Sequence, residues 1–403
     1  MKKGWQIKKL SEVLHKTETI NPLQVPESEF EYIDVSSVSN RTFKIEATQR
    51  LRGKDAPSRA RRLVKTNDIL FATVRPTLQR IAVVPEHLNN QVCSTGYFIM
   101  RPKEIIDHRF LFYSLFTTAF IEQMEMLQKG ASYPAVTDSD VKSQFLLFPP
   151  LPEQQQIVDI LDKAFEGIAV AKTNAEKNLQ NARAVFESHL NIVFTQRSEK
   201  WVENKLQALT TKIGSGATPR GGDEAYKSEG ISLIRSLNVH DRGLRYEKLA
   251  FIDDMQAGRL SNVEVQPGDV LLNITGASIA RCCIAPDAVL PARVNQHVSI
   301  IRPIENKLDS EFLHYLLISK PYKDQLLQTG EEGGSTRQAI TKAQIQEFKI
   351  CYPKALEEQR AIVAKLDVLA IETHRLESIY LRKLATLETL KKSLLNQAFT
   401  GNL

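Results

Sequence analysis

The sequence repeats itself, and that repetition limits the architecture more than any other feature of the 403-residue chain. Trp5 and Leu10 recur as Trp201 and Leu206, an offset of 196. Asp68-Ile69-Leu70 returns as Asp269-Val270-Leu271, Arg80 and Pro85 as Arg281 and Pro286, and Arg101-Pro102 as Arg302-Pro303, all at 201. Ala135-Val136-Thr137 and Pro149 match Ala339-Ile340-Thr341 and Pro353 at 204, and Glu153-Gln154 matches Glu358-Gln359 at 205. The offset of 205 then holds from Ile157-Val158 and Leu161-Asp162 through Ser188, Leu190-Asn191 and Phe194-Thr195, which recur as Ile362-Val363, Leu366-Asp367, Ser393, Leu395-Asn396 and Phe399-Thr400. A colinear series whose offset drifts slowly marks two copies of one unit, a globule followed by a helix. The reading places the globules at 1–150 and 199–353 and the helices at 151–198 and 354–403.

Each helix has readable ends. Pro152 loses no hydrogen bond in a first turn, Glu153 faces the positive end of the helix dipole, and Gly401 suits a C-terminal cap. About 44 residues at ~1.5 Å each give a rod of roughly 66 Å, too long for an ordinary surface helix. Ile157, Leu161, Ala164, Ile168, Ala171, Ala175, Asn178, Ala182, Val185, His189 and Ile192 lie at spacings of four and three in the first helix. Ile362, Leu366, Leu369, Thr373, Leu376, Tyr380, Leu387, Leu390 and Leu394 do much the same in the second. Such seams imply coiled-coil packing. One seam is rich in alanine and the other in leucine, so small side chains on one helix can receive large ones from the other. The expected fold is therefore α+β: two mixed α/β domains related by a pseudo-twofold axis and joined by two long helices in an antiparallel coiled coil, with Ile157, Leu161, Ile168, Ile362, Leu366, Leu369 and Leu376 in the seam. Packing of each helix on a separate partner chain is the alternative.

Hydrophobic residues at 42% and charged residues at 25% describe a globular chain, and no stretch approaches the run of about eighteen apolar residues that a membrane span needs. No apolar signal segment follows Met1-Lys2-Lys3-Gly4-Trp5, and Cys93, Cys282, Cys283 and Cys351 form neither a disulfide framework nor a zinc pattern. A reducing, cytoplasmic setting is expected, with no bound metal and no membrane contact. The net charge of +6 permits a polyanionic partner. Between Lys44 and Arg62 seven basic side chains face two acids, a candidate phosphate-facing strip that includes Arg59, Arg61 and Arg62; a solvated surface is the plain alternative.

Several segments resemble one known family. Gly216-Ala217-Thr218-Pro219, the run from Pro267-Gly268-Asp269-Val270 to Asn273-Ile274-Thr275-Gly276, Asn295-Gln296-His297 and Gly334-Ser335-Thr336-Arg337 are similar to the target-recognition domain of specificity subunits of Type I restriction-modification systems. The helix junctions Leu147-Phe148-Pro149-Pro150-Leu151-Pro152-Glu153-Gln154 and Tyr352-Pro353-Lys354-Ala355-Leu356-Glu357-Glu358-Gln359 carry the same likeness, which spans nearly the whole chain. The first globule departs from it, having Tyr32-Ile33-Asp34-Val35-Ser36-Ser37 and Pro57-Ser58-Arg59-Ala60-Arg61-Arg62 in place of the glycine-threonine-proline turn. The departure implies that the two halves read different sequences. The resemblance implies an asymmetric two-part double-stranded DNA target, each part read by one domain, with the helices fixing the gap between them. It also implies docking of two methyltransferase (modification) subunits that use S-adenosylmethionine, and of motor-nuclease (restriction) subunits that use ATP and magnesium. This chain would hold no cofactor and no catalytic residue.

A protein that reads sequence needs phosphate contacts for register and base-edge contacts for identity. Thr73-Val74-Arg75-Pro76-Thr77 with Arg80 corresponds to Ile274-Thr275-Gly276-Ala277-Ser278 with Arg281, which places hydroxyls and an arginine in a loop just after a strand. Ser132 and Tyr133 in one copy, and Ser335, Thr336, Arg337 and Gln338 in the other, form a second loop expected at the same cleft. Thr218, Arg220 and Arg235 complete the candidate DNA contacts. Tight turns with polar surfaces are the alternative for any one of them. Two rival functions are weaker. Pro286-Asp287 followed by Glu305-Asn306-Lys307 is a superficial nuclease pattern, but Glu104 and Ile106 in the first copy bring no lysine. A pure scaffold would explain the helices and leave the paired polar loops without a purpose. No Asn-Pro-Pro-Tyr-type tetrapeptide or phosphate-binding glycine loop points to methylation or translocation by this chain.

Overall fold

In the computed structural model the described residues are 4–196, 199–219, 221–331 and 339–403. By contacts the chain divides into two compact units, Met1–Glu176 with Leu381–Leu403, and Lys177–Tyr380. Each unit thus holds one globule together with part of both long helices.

Both globules are built around one short strand that is apolar on both faces. In the first, Ile69–Ala72 runs antiparallel between Ile81–Val83 and Tyr97–Met100. Alternate side chains of a strand point to opposite faces. Ile69 and Phe71 accordingly enter a core with Phe110, Leu111, Ile157 and Leu161, while Leu70 and Ala72 enter a second core with Ile33, Val64 and Tyr97. A second sheet, ordered Gln49–Arg52, Glu29–Ile33, Val92–Ser94 and Ala60–Leu63, includes one parallel pairing, Glu29–Ile33 with Val92–Ser94. The second globule repeats this plan. Val270–Asn273 lies between Cys282–Ile284 and Val298–Pro303, and Ile231–Ile234 pairs parallel with Ala292–Val294. Its first sheet gains a fourth strand, Thr210–Ser215, at the place where the two sequences part. Gly216 ends that strand, and no side chain fits there, because a Cβ would lie 1.8 Å from the Val294 carbonyl oxygen.

The long helices are Leu151–Thr195 and Leu356–Thr400, 45 residues each and about 68 Å long. The glutamine of each junction is fully buried and acts as a clamp. Gln154 accepts from Asp107 N at 2.9 Å and donates to the Ile105 and Pro149 carbonyls at 2.9 Å. Gln359 does the same with Asp309 N at 2.8 Å and with the Lys307 and Pro353 carbonyls at 3.0 and 2.8 Å. All three polar groups of the amide are used, so the glutamine fixes the helix start to its globule without an unsatisfied group.

Within each unit the helices run antiparallel. In the first, Lys172 Nζ meets Glu388 Oε1 at 2.7 Å, and Leu395 and Ala398 share a core with Ile157 and Leu161. In the second, Arg183 Nε meets Glu377 Oε2 at 3.3 Å, and Leu190 and Phe194 share a core with Val363 and Leu366. At the repeat offset of 205, Lys172 is equivalent to Glu377 and Arg183 to Glu388. A helix paired with a second copy of itself in this register would set Lys172 against Arg183, or Glu377 against Glu388. The charge pattern therefore favours pairing of the first helix with the second over pairing of like helices.

The seam differs from the one expected. Ile157, Leu161 and Leu366 are buried and Ile168, Ile362 and Leu369 half-buried, but Leu376 is 41% exposed and the carboxylate of Glu377 takes the inward place. In the first helix Asn178, Val185, His189 and Ile192 are exposed, and Leu179, Phe186, Leu190 and Phe194 face inward instead. The expected seam stepped by about 3.5 residues, whereas a straight helix turns once in 3.6, a drift of ~20° per heptad that moves the inner face on by one residue over such a length.

Each globule also reaches its own stretch of helix with a hairpin tip. Phe43 lies 5.1 Å from Lys391 Nζ, which sits 5.3 Å from the Phe165 ring, and burial between the two rings lowers the lysine pKa. In the second unit Arg242, between Val239–His240 and Gly243–Leu244, grips Glu377 with both terminal nitrogens at 2.9 and 2.8 Å. That grip, with Arg183, holds the Glu377 carboxyl below the ordinary 4.5 despite its burial.

Candidate functional site

The central strand of the first globule ends at Ala72, and the chain enters a loop tied to a second loop by backbone bonds. Val74 bridges Ala135, Val136 N donates to the Thr73 carbonyl at 2.9 Å, and Arg75 N donates to the Pro134 carbonyl at 2.6 Å. The second globule repeats the tie, with Thr275 bridging Ala339 and Ile340 N donating to the Ile274 carbonyl at 2.8 Å. The two loops expected to share a cleft are therefore joined in both copies, and the equivalence of Arg75 with Gly276 is structural as well as sequential.

The side chains divide into those spent inside the fold and those presented outward. Thr73 is 7% exposed and its hydroxyl donates to the Gly96 carbonyl at 3.0 Å, so it is not available to a ligand as expected. Arg80 likewise turns inward, its Nη1 on the Val38 carbonyl at 2.5 Å. Arg62 is held by Asp138 at 2.8 Å and Arg61 by the Ala60 carbonyl at 3.0 Å. Within the basic run Arg50 and Arg52 both meet Glu29, at 2.6 and 3.6 Å, so part of the strip is neutralised by acids distant in sequence. Arg59, Thr77 and Ser132 are exposed. Arg75 is exposed as well, its guanidinium 5.1 Å from the ring of Tyr133, itself 71% exposed, with Nη2 on the Ser132 carbonyl at 3.3 Å. Arg75, Ser132 and Tyr133 thus form one outward group.

In the second globule the equivalent place holds a hydrogen-bonded chain. Thr218 Oγ1 donates to Gln296 Oε1, Gln296 Nε2 lies 3.1 Å from His297 Nε2, and His297 Nδ1 lies 2.6 Å from Thr275 Oγ1. With the amide donating to Nε2, the imidazole carries its proton on Nδ1 and donates to Thr275 Oγ1. Asn295 sets this loop from beneath, its buried Oδ1 accepting from His297 N at 3.0 Å and its carbonyl from Gly216 N at 3.1 Å. Gln296 and His297 were not among the residues expected to face a ligand, although their triplet is one of the segments that carry the resemblance. Arg235 stands 5.0 Å from the Tyr226 ring with Nη2 on the Lys248 carbonyl at 2.6 Å, and Ser278 and Arg281 are half-buried. Arg220, Ser335, Thr336, Arg337 and Gln338 lie outside the described residues.

Among the described residues no group of three or more His, Cys, Asp or Glu side chains is placed to hold a metal ion. Asp287 and Glu305 do line one open depression, together with Asp309, Glu311 and Arg360. No helix among the described residues is long and apolar enough to cross a membrane.

Two globules of one design, each presenting differently furnished loops at the same strand end, define a two-headed recognition protein. The model of the Type I restriction modification DNA specificity domain matches residues 2–180 and again 198–383, and the chain belongs to that family. It is 26% identical over 328 residues to the Type I restriction enzyme MjaVIII specificity subunit of Methanocaldococcus jannaschii, covering 77% of this chain and 73% of that one. Over 349 residues it is 23% identical to the EcoBI specificity subunit of Escherichia coli, with 79% and 70% covered. Among solved structures, the HsdS subunit from Thermoanaerobacter tengcongensis matches at a TM-score of 0.68 and 28% identity over 100% of this chain and 98% of that one. A chain solved in work on complex assembly and conformational transition of the type I R-M system matches at 0.85, also 28% identical, over 100% and 99%.

Proposed function

We propose that each head reads one half of an asymmetric two-part DNA target, and that the paired long helices set the length of the unread gap and dock the methyltransferase subunits. The observation that carries this reading is the tied loop pair, present in both heads with the same backbone ties and different surroundings: Arg75, Ser132 and Tyr133 in one, and in the other Thr275 bonded to His297 of a neighbouring loop, which Gln296 links on to Thr218. A common backbone with exchanged side chains suits two readers of unlike sequence, because base edges are told apart by donor and acceptor pattern. Exposed Arg59 supplies phosphate attraction on the same head.

This chain supplies the address. Methylation is the work of modification subunits carrying S-adenosylmethionine, and cleavage that of restriction subunits using ATP and magnesium, all in the cytoplasm. Mapping methylated adenines in cells that express the chain with its modification subunits tests the reading. The expected map is one motif of two defined blocks separated by an unspecified gap of constant length. Methylation at adenines with no common context refutes it.

A further inference from the structure

We infer that Arg75 reads a guanine in the half-site of the first head, an inference that rests on the function proposed above. Among the candidate arginines of this head, Arg62 is bound to an acid, Arg61 and Arg80 are bound to carbonyls inside the globule, and Arg59 is exposed but lies outside the tied loops. Arg75 is different because its backbone is fixed and its side chain is directed outward.

The backbone at Arg75 is left-handed, with φ at 50°, a conformation that side-chain-bearing residues seldom adopt. It is held there by the Arg75 N bond to the Pro134 carbonyl and by the turn Pro76–Leu78 that follows, whose far end at Gln79 is left-handed too. The guanidinium is then set in orientation twice, by the Tyr133 ring against its face and by the Ser132 carbonyl on Nη2. A flat, pre-oriented fork of donors matches two acceptors side by side. In the major groove guanine offers that pair, N7 and O6, whereas adenine sets an amino donor beside its N7.

A phosphate would also accept an arginine. Two features favour a base edge. A phosphate contact tolerates a mobile side chain, yet this one is held by two neighbours. A contact needed only for register would also serve both heads alike, and the structurally equivalent residue of the second head is Gly276, which has no side chain. The position changes between the heads, as a position that carries sequence information does.

The test uses the complex of the full chain with its modification subunits and duplexes carrying the mapped target, in which each G·C pair is replaced in turn by A·T. Wild type is expected to lose roughly 5- to 150-fold in affinity at one guanine of one half-site. In Arg75→Ala and in Arg75→Lys that penalty disappears, while every other penalty, including all those in the second half-site, is kept. The lysine variant keeps the positive charge, so relaxed specificity in a complex that still binds shows that the fork is needed. Uniformly weaker binding with all base penalties intact makes Arg75 a phosphate contact and overturns the inference. A two-part target without guanine in either half overturns it too and leaves the proposed function standing, whereas the absence of any two-part target refutes the function itself.

Discussion

Asp269→Ala is expected to destabilise the second globule by about 3 kcal/mol and to lower its melting temperature by roughly 6–12 °C. Asp269 is fully buried, and its two oxygens accept the Arg302 fork at 2.7 and 2.8 Å while Oδ2 also caps Gln266 N at 2.7 Å. The carboxylate therefore ties the turn before the central strand to the end of the neighbouring strand Val298–Pro303. Its removal leaves a guanidinium that is only 23% exposed with the Glu264 carbonyl at 2.9 Å in place of an ionised partner, and breaking a buried pair from one side costs about 3–5 kcal/mol; the partial exposure and that remaining bond place the estimate at the low end. Asp68 repeats the arrangement with Arg101 and Lys65 N, but there Glu18 also meets Arg101 at 2.6 Å. Arg101 and Lys65 together hold the Glu18 carboxyl at about 2, so the arginine keeps an ionised partner when Asp68 is lost. Asp68→Ala is accordingly the milder of the two. Calorimetry of the full chain checks both, and a shift under about 2 °C for Asp269→Ala contradicts the assigned role.

Adding four residues to both helices at matched positions is expected to lengthen the unread gap of the target by about two base pairs. Lys172 with Glu388 pairs the helices within one unit and Arg183 with Glu377 within the other, and the chain passes between the units at Glu176–Lys177 and at Tyr380–Leu381. Insertions there leave the contacts of each unit intact, and ~6 Å of added rise compares with ~3.4 Å per base pair. An insertion in one helix alone shifts one rod against the other, so that the two ion pairs and the seam can no longer form together, and methylation is expected to fail. The methylated motif of the doubly lengthened protein is the readout. An unchanged gap rejects the helices as the ruler without touching the reading heads.

The duplication, the helix starts and the joined loops were legible because each rests on short-range rules: proline and acid at a first turn, alternation along a strand, glycine or small polar residues at its end. What was not legible depends on where a side chain points once the strand has ended. Thr73 and Thr275 are both polar loop residues near the same strand end, yet the repeat pairs Thr73 with Ile274 and Thr275 with Val74, so Thr73 bonds inward to Gly96 while Thr275, one place further along, bonds to the His297 side chain. Arg62 reads as a free cation until Asp138, 76 positions away, is folded against it. Counting heptads puts Leu376 in the seam, and the small mismatch between 3.5 and 3.6 residues per turn is enough to substitute Glu377, whose burial needs Arg242 from a distant hairpin. Gln296 and His297 were visible as a motif, but nothing local showed that Thr218 and Thr275 would close a chain of bonds around them.

The most direct test of two independent readers is a head exchange. Residues 199–353 are replaced by the corresponding domain of a relative with a different target, and the methylated adenines are mapped before and after. The account predicts that one block of the motif changes to that of the donor while the other block stays as it was. A change in both blocks, or in neither, contradicts it.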